Sequence, residues 1–442
     1  MSKPTQKRTA TAEAGRRGAD VRSDCWVKIT AADEGGIDLQ LSTKVEPMYG
    51  DSIRALVRDG LAALGMEQAS VEIEDAGALP FVLMARVEAA VRRLRDADGT
   101  GSPSVAEWLP EFEQHAQYQT ERDRFRRSRL YLPGNEPKFL LNAGLHQPDG
   151  VILDLEDSVA PPVKDEARVL VRNALRSIDF KGCERMVRIN QGETGLEDLD
   201  FIVPHNVHVV LIPKVEDAEQ VRVVDARIDE ILRRSAADSS RGAGRSSESA
   251  ADFSPRGATP AEGSGSPSAP RRVYLMPIVE SALGAIKAYE IAKASANVCA
   301  LTIGLEDYTA DVHAQRTNEG RESFWARCQV VNAARAAGVQ PIDTVFSDVS
   351  DMEALRASVV EAKGLGFDGK GCIHPRQIRV IHEAFAPTEA DLEKASRIVA
   401  AFAEAESRGL AAVSLGSKMI DPPVVKRAQH VVKLARAMGM LE

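Results

Sequence analysis

Nowhere in the sequence does an apolar run approach the roughly 20 residues that a bilayer-spanning helix needs, so no membrane association is expected. Cysteine is sparse. Cys25, Cys183, Cys299, Cys328 and Cys372 are five, an odd number, far apart and without a CxxC pair. That excludes a disulfide framework and a cysteine zinc or redox centre, and leaves most of them as small core residues. Positive charge is in deficit: a formal net charge of −9 argues against nucleic-acid binding. The one local exception, "RDRFRRSR" at 122–129, reads as a solvated helix end rather than a polyanion site. The opening "MSKPTQKRTATAEAGRRGAD" lacks the apolar core of a secretory signal, so residues 1–20 are read as a flexible tail and the chain as cytoplasmic. Aromatic content of 5% and hydrophobic content of 44% suit a soluble enzyme rich in Ala, Val and Leu.

What is present divides the chain. Residues 234–270, mostly Ser, Ala, Gly, Pro and Arg, carry almost no large apolar side chain to offset the entropy of ordering, and are expected to be a disordered insertion. "RDADGTGSPS" at 95–104 ends a helical pattern and separates residues 21–100 from the rest, with 101–127 as a linker. In the first unit "CWVKIT", "IDLQLS" and "SVEIEDAG" alternate like strands. "DSIRALVRDGLAALG" and "PFVLMARVEAAVRRLR" have helical spacing, giving a small α+β domain.

From residue 128 to 442 short β-branched runs alternate with amphipathic stretches. The runs fall at 129–133, 150–156, 185–190, 207–214, 273–280, 298–304, 340–346 and 370–375. Eight parallel βα units predict a (β/α)₈ barrel, whose active site lies at the carboxyl ends of the strands. Polar residues gather at those ends: Asn135; Asp154, Glu156 and Asp157; Arg188 and Asn190; Lys214 and Glu216; Glu280; Glu306 and Asp307; Asp343; His374. Converging carboxylates repel unless a cation sits among them, and a donor set without a CxxC or His pair is all oxygen, which selects a hard ion such as Mg²⁺. Arg188 could clamp a substrate carboxylate. Lys214 and Glu216 read equally as a rim ion pair, and His374 as a core histidine bonded to backbone. Spacing alone does not single out the metal ligands.

The segments "RSRLYLPGNEPK", "VILDLEDSVAPPVKDEAR", "MVRIN", "LIPKVED", "IVESALGAIKAYEIA" and "IGLEDYTADVHAQRTNEGRESFWAR" resemble the citrate lyase beta subunit, within the HpcH/HpaI aldolase family of CoA-ester carbon–carbon lyases. The resemblance implies a Mg²⁺-dependent lyase that splits a citryl thioester into oxaloacetate and an acetyl thioester. It implies Glu280 and Asp307 as metal ligands and Arg188 as the oxo-acid binder. Tyr131, Lys138, Ile373 and His374 match positions that contact substrate or the CoA portion, and Glu156 and Asp157 are expected to support the others from behind. Asp421 of "GSKMIDPPVV" matches an acid that enters a neighbouring subunit's site, implying a homo-oligomer, a trimer or a multiple of it. The first unit, notably "DAGAL" and "ARVEAA", resembles the gamma subunit, the acyl carrier protein of the same complex. That family carries a phosphoribosyl-dephospho-CoA arm on a serine of an "ESSD"-like motif. Here the motif is "VRSD", which makes Ser23 the candidate anchor and implies a citrate lyase alpha subunit as partner. The departure keeps open a lyase or thioesterase acting on free malyl-CoA or citramalyl-CoA with a vestigial carrier domain. A non-catalytic carrier or assembly module is the third alternative.

Overall fold

The computed structural model describes residues 10–97, 107–245, 272–407, 413–415 and 418–441. Its first unit is a four-stranded sheet of β1 (Thr11–Gly15), β2 (Cys25–Ala31), β3 (Ile37–Thr43) and β4 (Ala69–Asp75), in the order β1-β2-β4-β3. Along β4, Ala69, Val71 and Ile73 are buried while Ser70, Glu72 and Glu74 are not, the period of a half-buried strand. The buried face packs on α1 (Glu46–Ala63) and α2 (Pro80–Ala97). The sheet begins inside the segment expected to be a tail. Ala12 and Ala14 point into the core, but alanines are too small to announce a strand in sequence.

Helix α2 is buried all round from Phe81 to Val91, as a helix wedged between two bodies must be. Leu83, Val87, Ala90, Val91 and Leu94 join the core of the first unit, while Phe81, Val82 and Ala85 join the core of the second. Charge is buried at this contact only where it is paired. Arg172, on α3 (Lys164–Ser177), binds both oxygens of Glu88 at 2.9 and 2.6 Å. Arg86 donates to Asp24 at 2.9 Å through two nitrogens and stands 3.2 Å from Glu166. Arg93 takes both oxygens of Asp165 at 2.5 Å.

The second unit is a closed barrel of eight parallel strands: β5 (Ser128–Pro133), β6 (Gly150–Asp154), β7 (Glu184–Arg188), β8 (Val209–Ile212), β9 (Tyr274–Val279), β10 (Ala300–Ile303), β11 (Gln340–Asp343) and β12 (Gly369–Cys372). β12 pairs with β5 to close it. Ile152, Met186, Val209, Leu211, Met276, Ile278 and Ile342 fill the interior, so the barrel is a packed core with chemistry confined to its rim.

Three expectations are corrected here. The basic segment 122–129 is not a solvated helix end: Arg126 is buried on Glu184 at 2.7 Å, Arg127 grips Asp149 at 2.8 Å, and Arg129 points inside the barrel to Thr302 at 3.1 Å. Residues 107–127 thus strap the amino-terminal end of the barrel rather than merely linking two domains, with Trp108 donating its amide to Glu88. The helix after β8 runs from Ala218 to Arg245, so residues 234–245 are helical; Ala and Arg, strong helix formers, extend a turn pattern already begun. Residues 246–271 of the expected insertion lie outside the described residues. Beyond the barrel, helices Glu389–Ser407 and Pro422–Ala437 pack on each other around Ala395, Ile398, Ile420, Val425 and Ala428. Among the described residues no helix is long and apolar enough to cross a membrane.

Candidate active site

The site is assembled from strand ends. Asp154 and Arg188 end β6 and β7 and are directly opposite in the ladder, so their side chains leave the sheet together. They form a two-pronged pair, with Nε and Nη2 of Arg188 each 2.7 Å from an Asp154 oxygen. Burial would raise the Asp154 carboxyl, but the guanidinium holds it below the usual range. Nη1 of Arg188 lies 2.9 Å from Glu156 and 3.5 Å from Asp157. Nε and Nη2 are thus committed to Asp154, while Nη1 faces Glu156 and Asp157. The Tyr131 ring, on β5, lies 5.4 Å from the guanidinium carbon. The loop after β6 is held by Lys164, whose ammonium donates to the carbonyls of Leu155 and Glu156 at 2.9 and 2.7 Å.

Lys214 is the cation among the acids. Its ammonium is 3.5 Å from Glu156, 3.6 Å from Asp157 and 3.5 Å from Asp307. The rim pair with Glu216 is therefore corrected: among the described residues these three acids, and not Glu216, face the ammonium. Lys214 has φ +50, a left-handed conformation costly for a side chain, and this aims its amide at Glu280 Oε2, 3.0 Å away.

Glu280 follows β9 and is buried. Burial first, then the negative charges of Asp307 and Glu156, push its carboxyl up to about 8 against the pull of Arg188. Asp307 stands half-exposed in the first turn after β10, while its neighbour Glu306 turns away to Arg316. Among the described residues no three His, Cys, Asp or Glu side chains gather as a metal cage. Two carboxylates, one of them overloaded with negative charge, still fit Mg²⁺, which binds through one or two carboxylates and completes its octahedron with water and substrate oxygens.

The other expected residues are spread around this centre. Lys138 is 3.5 Å from Glu136 and 4.8 Å from the Phe139 ring centre. Ile373 is exposed, and His374 is no core histidine: it caps helix Pro375–Phe385, its Nδ1 accepting the Arg376 amide at 3.1 Å. Asp421 caps the last helix at Val424, 3.2 Å, and makes no hydrogen bond or ion pair to the barrel among the described residues. Ser23 lies in the first unit at φ +57, its amide on the Ala76 carbonyl at 3.0 Å. Sequence reasoning missed Lys214's place among the acids and the fixed Asp154–Arg188 pair, though both lay in the quoted strand ends. It also missed Gly304, where a Cβ would stand 2.5 Å from Glu280 Oε1.

Residues 127–375 match the family model "HpcH/HpaI aldolase/citrate lyase", and residues 11–94 match an acyl-carrier model, "Malonate decarboxylase delta subunit". The chain is 38% identical over 316 residues to citrate lyase subunit beta of Haemophilus influenzae, covering 71% of this chain and 98% of that one. It is 30% identical to the human mitochondrial citramalyl-CoA lyase, covering 71% and 86%. A solved structure, protein CitE from Mycobacterium tuberculosis in complex with magnesium, acetoacetate and coenzyme A, matches with TM-score 0.53 and 28% identity over 72% of this chain and all of that one. With its closed barrel and the cluster of Arg188, Glu280 and Asp307, the chain belongs to the HpcH/HpaI aldolase/citrate lyase family of carbon–carbon lyases and carries an acyl-carrier-type domain at its amino-terminal end.

Proposed function

We propose that the protein cleaves a 3-hydroxyacyl thioester of the citryl type into an oxo acid, oxaloacetate for citryl, and an acyl thioester. The observation that carries this is a guanidinium, Arg188, fixed by Asp154 at 2.7 Å and close enough to Glu280 for its charge to act on that carboxyl, with Lys214 tying Asp307 to the same acids. Arg188 holds the carboxylate of the oxo-acid half, and Asp154 fixes the guanidinium so that it cannot turn away. Glu280 and Asp307 would hold Mg²⁺, which would supply Lewis-acid polarisation of the substrate oxygen. Loss of the hydroxyl proton to a base turns that oxygen into a carbonyl as the C–C bond breaks, and the electron pair passes to the thioester as an enolate. Asp421 of a neighbouring copy delivers the proton to the enolate's α-carbon, where the broken bond was, which makes a homo-oligomer the working form. Tyr131, Lys138, Ile373 and His374 line the thioester's approach.

The acyl group arrives on an arm at Ser23, loaded by an alpha subunit, or on free coenzyme A. Arg22 beside Ser23 in "VRSD" favours free citryl-, malyl- or citramalyl-CoA. The test is release of oxo acid from each thioester with Mg²⁺, using wild-type and Ser23→Ala protein. Turnover of free CoA esters by both supports the second source; dependence on Ser23, with added mass at that residue in protein from its native host, supports the first. Absence of oxo acid from every thioester would overturn the lyase assignment.

A further inference from the structure

A cavity of about 380 Å³ opens beside Ser23, lined by Val21, Arg22, Thr43, Lys44, Ala76 and Gly77. Its floor is braced by Asp75, which accepts the Thr43 hydroxyl at 2.7 Å and the amides of Gly77 and Ala78 at 3.0 and 2.8 Å. Gly77, at φ +86, leaves the space above it open: nothing stands within 4 Å of where a Cβ would be. Two cations edge the opening. Arg22 and Lys44 are exposed and, like Arg58 and Arg95, have no carboxylate partner among the described residues. One residue beyond Lys44, after Val45, α1 begins, an 18-residue helix whose Val45 start has no side-chain cap. Glu46, the acid that would oppose an anion there, is turned to Arg54 at 2.7 Å. Unpaired cations, a bare helix start and a braced hollow together suit phosphate oxygens.

The cavity is also fixed near the barrel mouth. One nitrogen of Arg86 binds both Asp24, next to Ser23, at 2.9 Å and the carbonyl of Asn135 at 3.0 Å. Asn135 belongs to the loop that follows β5 and carries Lys138, and Arg16 pairs with Glu136 of the same loop. We propose that this cavity is a phosphate site for a coenzyme A-type nucleotide whose thioester end enters the barrel. The proposal rests on the thioester substrate inferred above. The nucleotide is either that of a free CoA ester or that of an arm anchored at Ser23, and the same two cations hold its diphosphate.

ADP is the probe, since it carries the diphosphate without the thioester. Titrated calorimetrically into full-length protein whose intact mass shows no modification, ADP should bind once per chain and more weakly as salt rises. Arg22→Ser/Lys44→Ser should weaken it by about tenfold or more, while Arg188→Ala leaves it unchanged. No ADP binding, equal binding by the double variant, or loss only in Arg188→Ala would overturn the site. Protein from its native host separates the sources: added mass at Ser23 with the cavity closed to ADP identifies the anchored arm, and unmodified protein whose KM for a free CoA ester rises in the double variant identifies the free one. Lyase turnover of a pantetheine thioester, which lacks the nucleotide, should not respond to the double variant. Failure of all thioester turnover with ADP binding intact would sink the lyase reading and leave the phosphate site standing.

Discussion

Gly304 stands where any side chain would collide with Glu280: a Cβ there would lie 2.5 Å from Oε1 and 2.7 Å from Cγ. The φ of Gly304 is ordinary, −108°, so alanine strains nothing but the carboxylate. Gly304→Ala should displace Glu280, weaken Mg²⁺ binding by about tenfold and lower kcat, with little change in far-ultraviolet circular dichroism. A variant with wild-type Mg²⁺ affinity by calorimetry would remove Glu280 from the metal site.

The raised Glu280 carboxyl sets a pH dependence. Its value of about 8 in the folded protein exceeds that of an exposed glutamate, so the metal-free site holds a proton that Mg²⁺ must displace. Affinity should therefore rise by about tenfold per pH unit from pH 6 towards 8 and then level off. For the metal-free protein the sign is opposite: this group's contribution to stability is complete below its unfolded pKa and is lost as pH rises through about 8. Calorimetry in two buffers of different ionisation enthalpy would measure the proton release; none at pH 7 would refute the assignment.

Arg172 is buried against Glu88 across the domain contact; Arg92 also reaches Glu88 at 2.8 Å, and Glu107 stands 3.6 Å from Arg172. Arg172→Met should cost about 3 kcal/mol of stability, the effect of stranding half of a buried pair. Arg92→Ala, at a partly exposed position, should cost less than about 1 kcal/mol. Denaturant unfolding of the full chain compares them, and equal small losses would mean that water reaches the contact.

Asp421 caps a helix pair that packs on itself. If it serves a neighbour's barrel, co-expressed Asp421→Asn and Arg188→Ala chains, each inactive alone, should regain activity together. Tagged mixed oligomers that stay inactive would confine Asp421 to its cap.

Strands such as β6 and β8 were legible because they are dense β-branched runs, "VILDLE" and "VHVVLIPK", which have few other uses; β5 and β12, without a β-branched residue, were legible by their place in the alternation. Their polar ends were legible for the same reason: an acid directly after such a run has nowhere buried to go. β1 was not, since Ala12 and Ala14 bring too little apolar surface to stand out. Nor was the role of Arg126, Arg127 and Arg129, because an arginine destined for burial looks in sequence like one destined for water. Its carboxylate partners, Glu184 and Asp149, lie 58 and 22 residues away, a separation no local pattern records. Lys214 shows the same limit: the neighbouring Glu216 suggested a pair, and the fold supplied Asp307 instead.

The contact at α2 bears on how such a chain can be inherited. Glu166 and Arg172 of the barrel are buried against the other unit, where Arg86, Arg93 and the Gly15 amide meet the first and Glu88 meets the second. A gene split between the two halves would yield a barrel with a bare basic and acidic socket on its flank and a partner with the matching charges on its own helix. Recombination that moved either half alone would have to rewrite these positions together, so the fusion, once made, resists being undone.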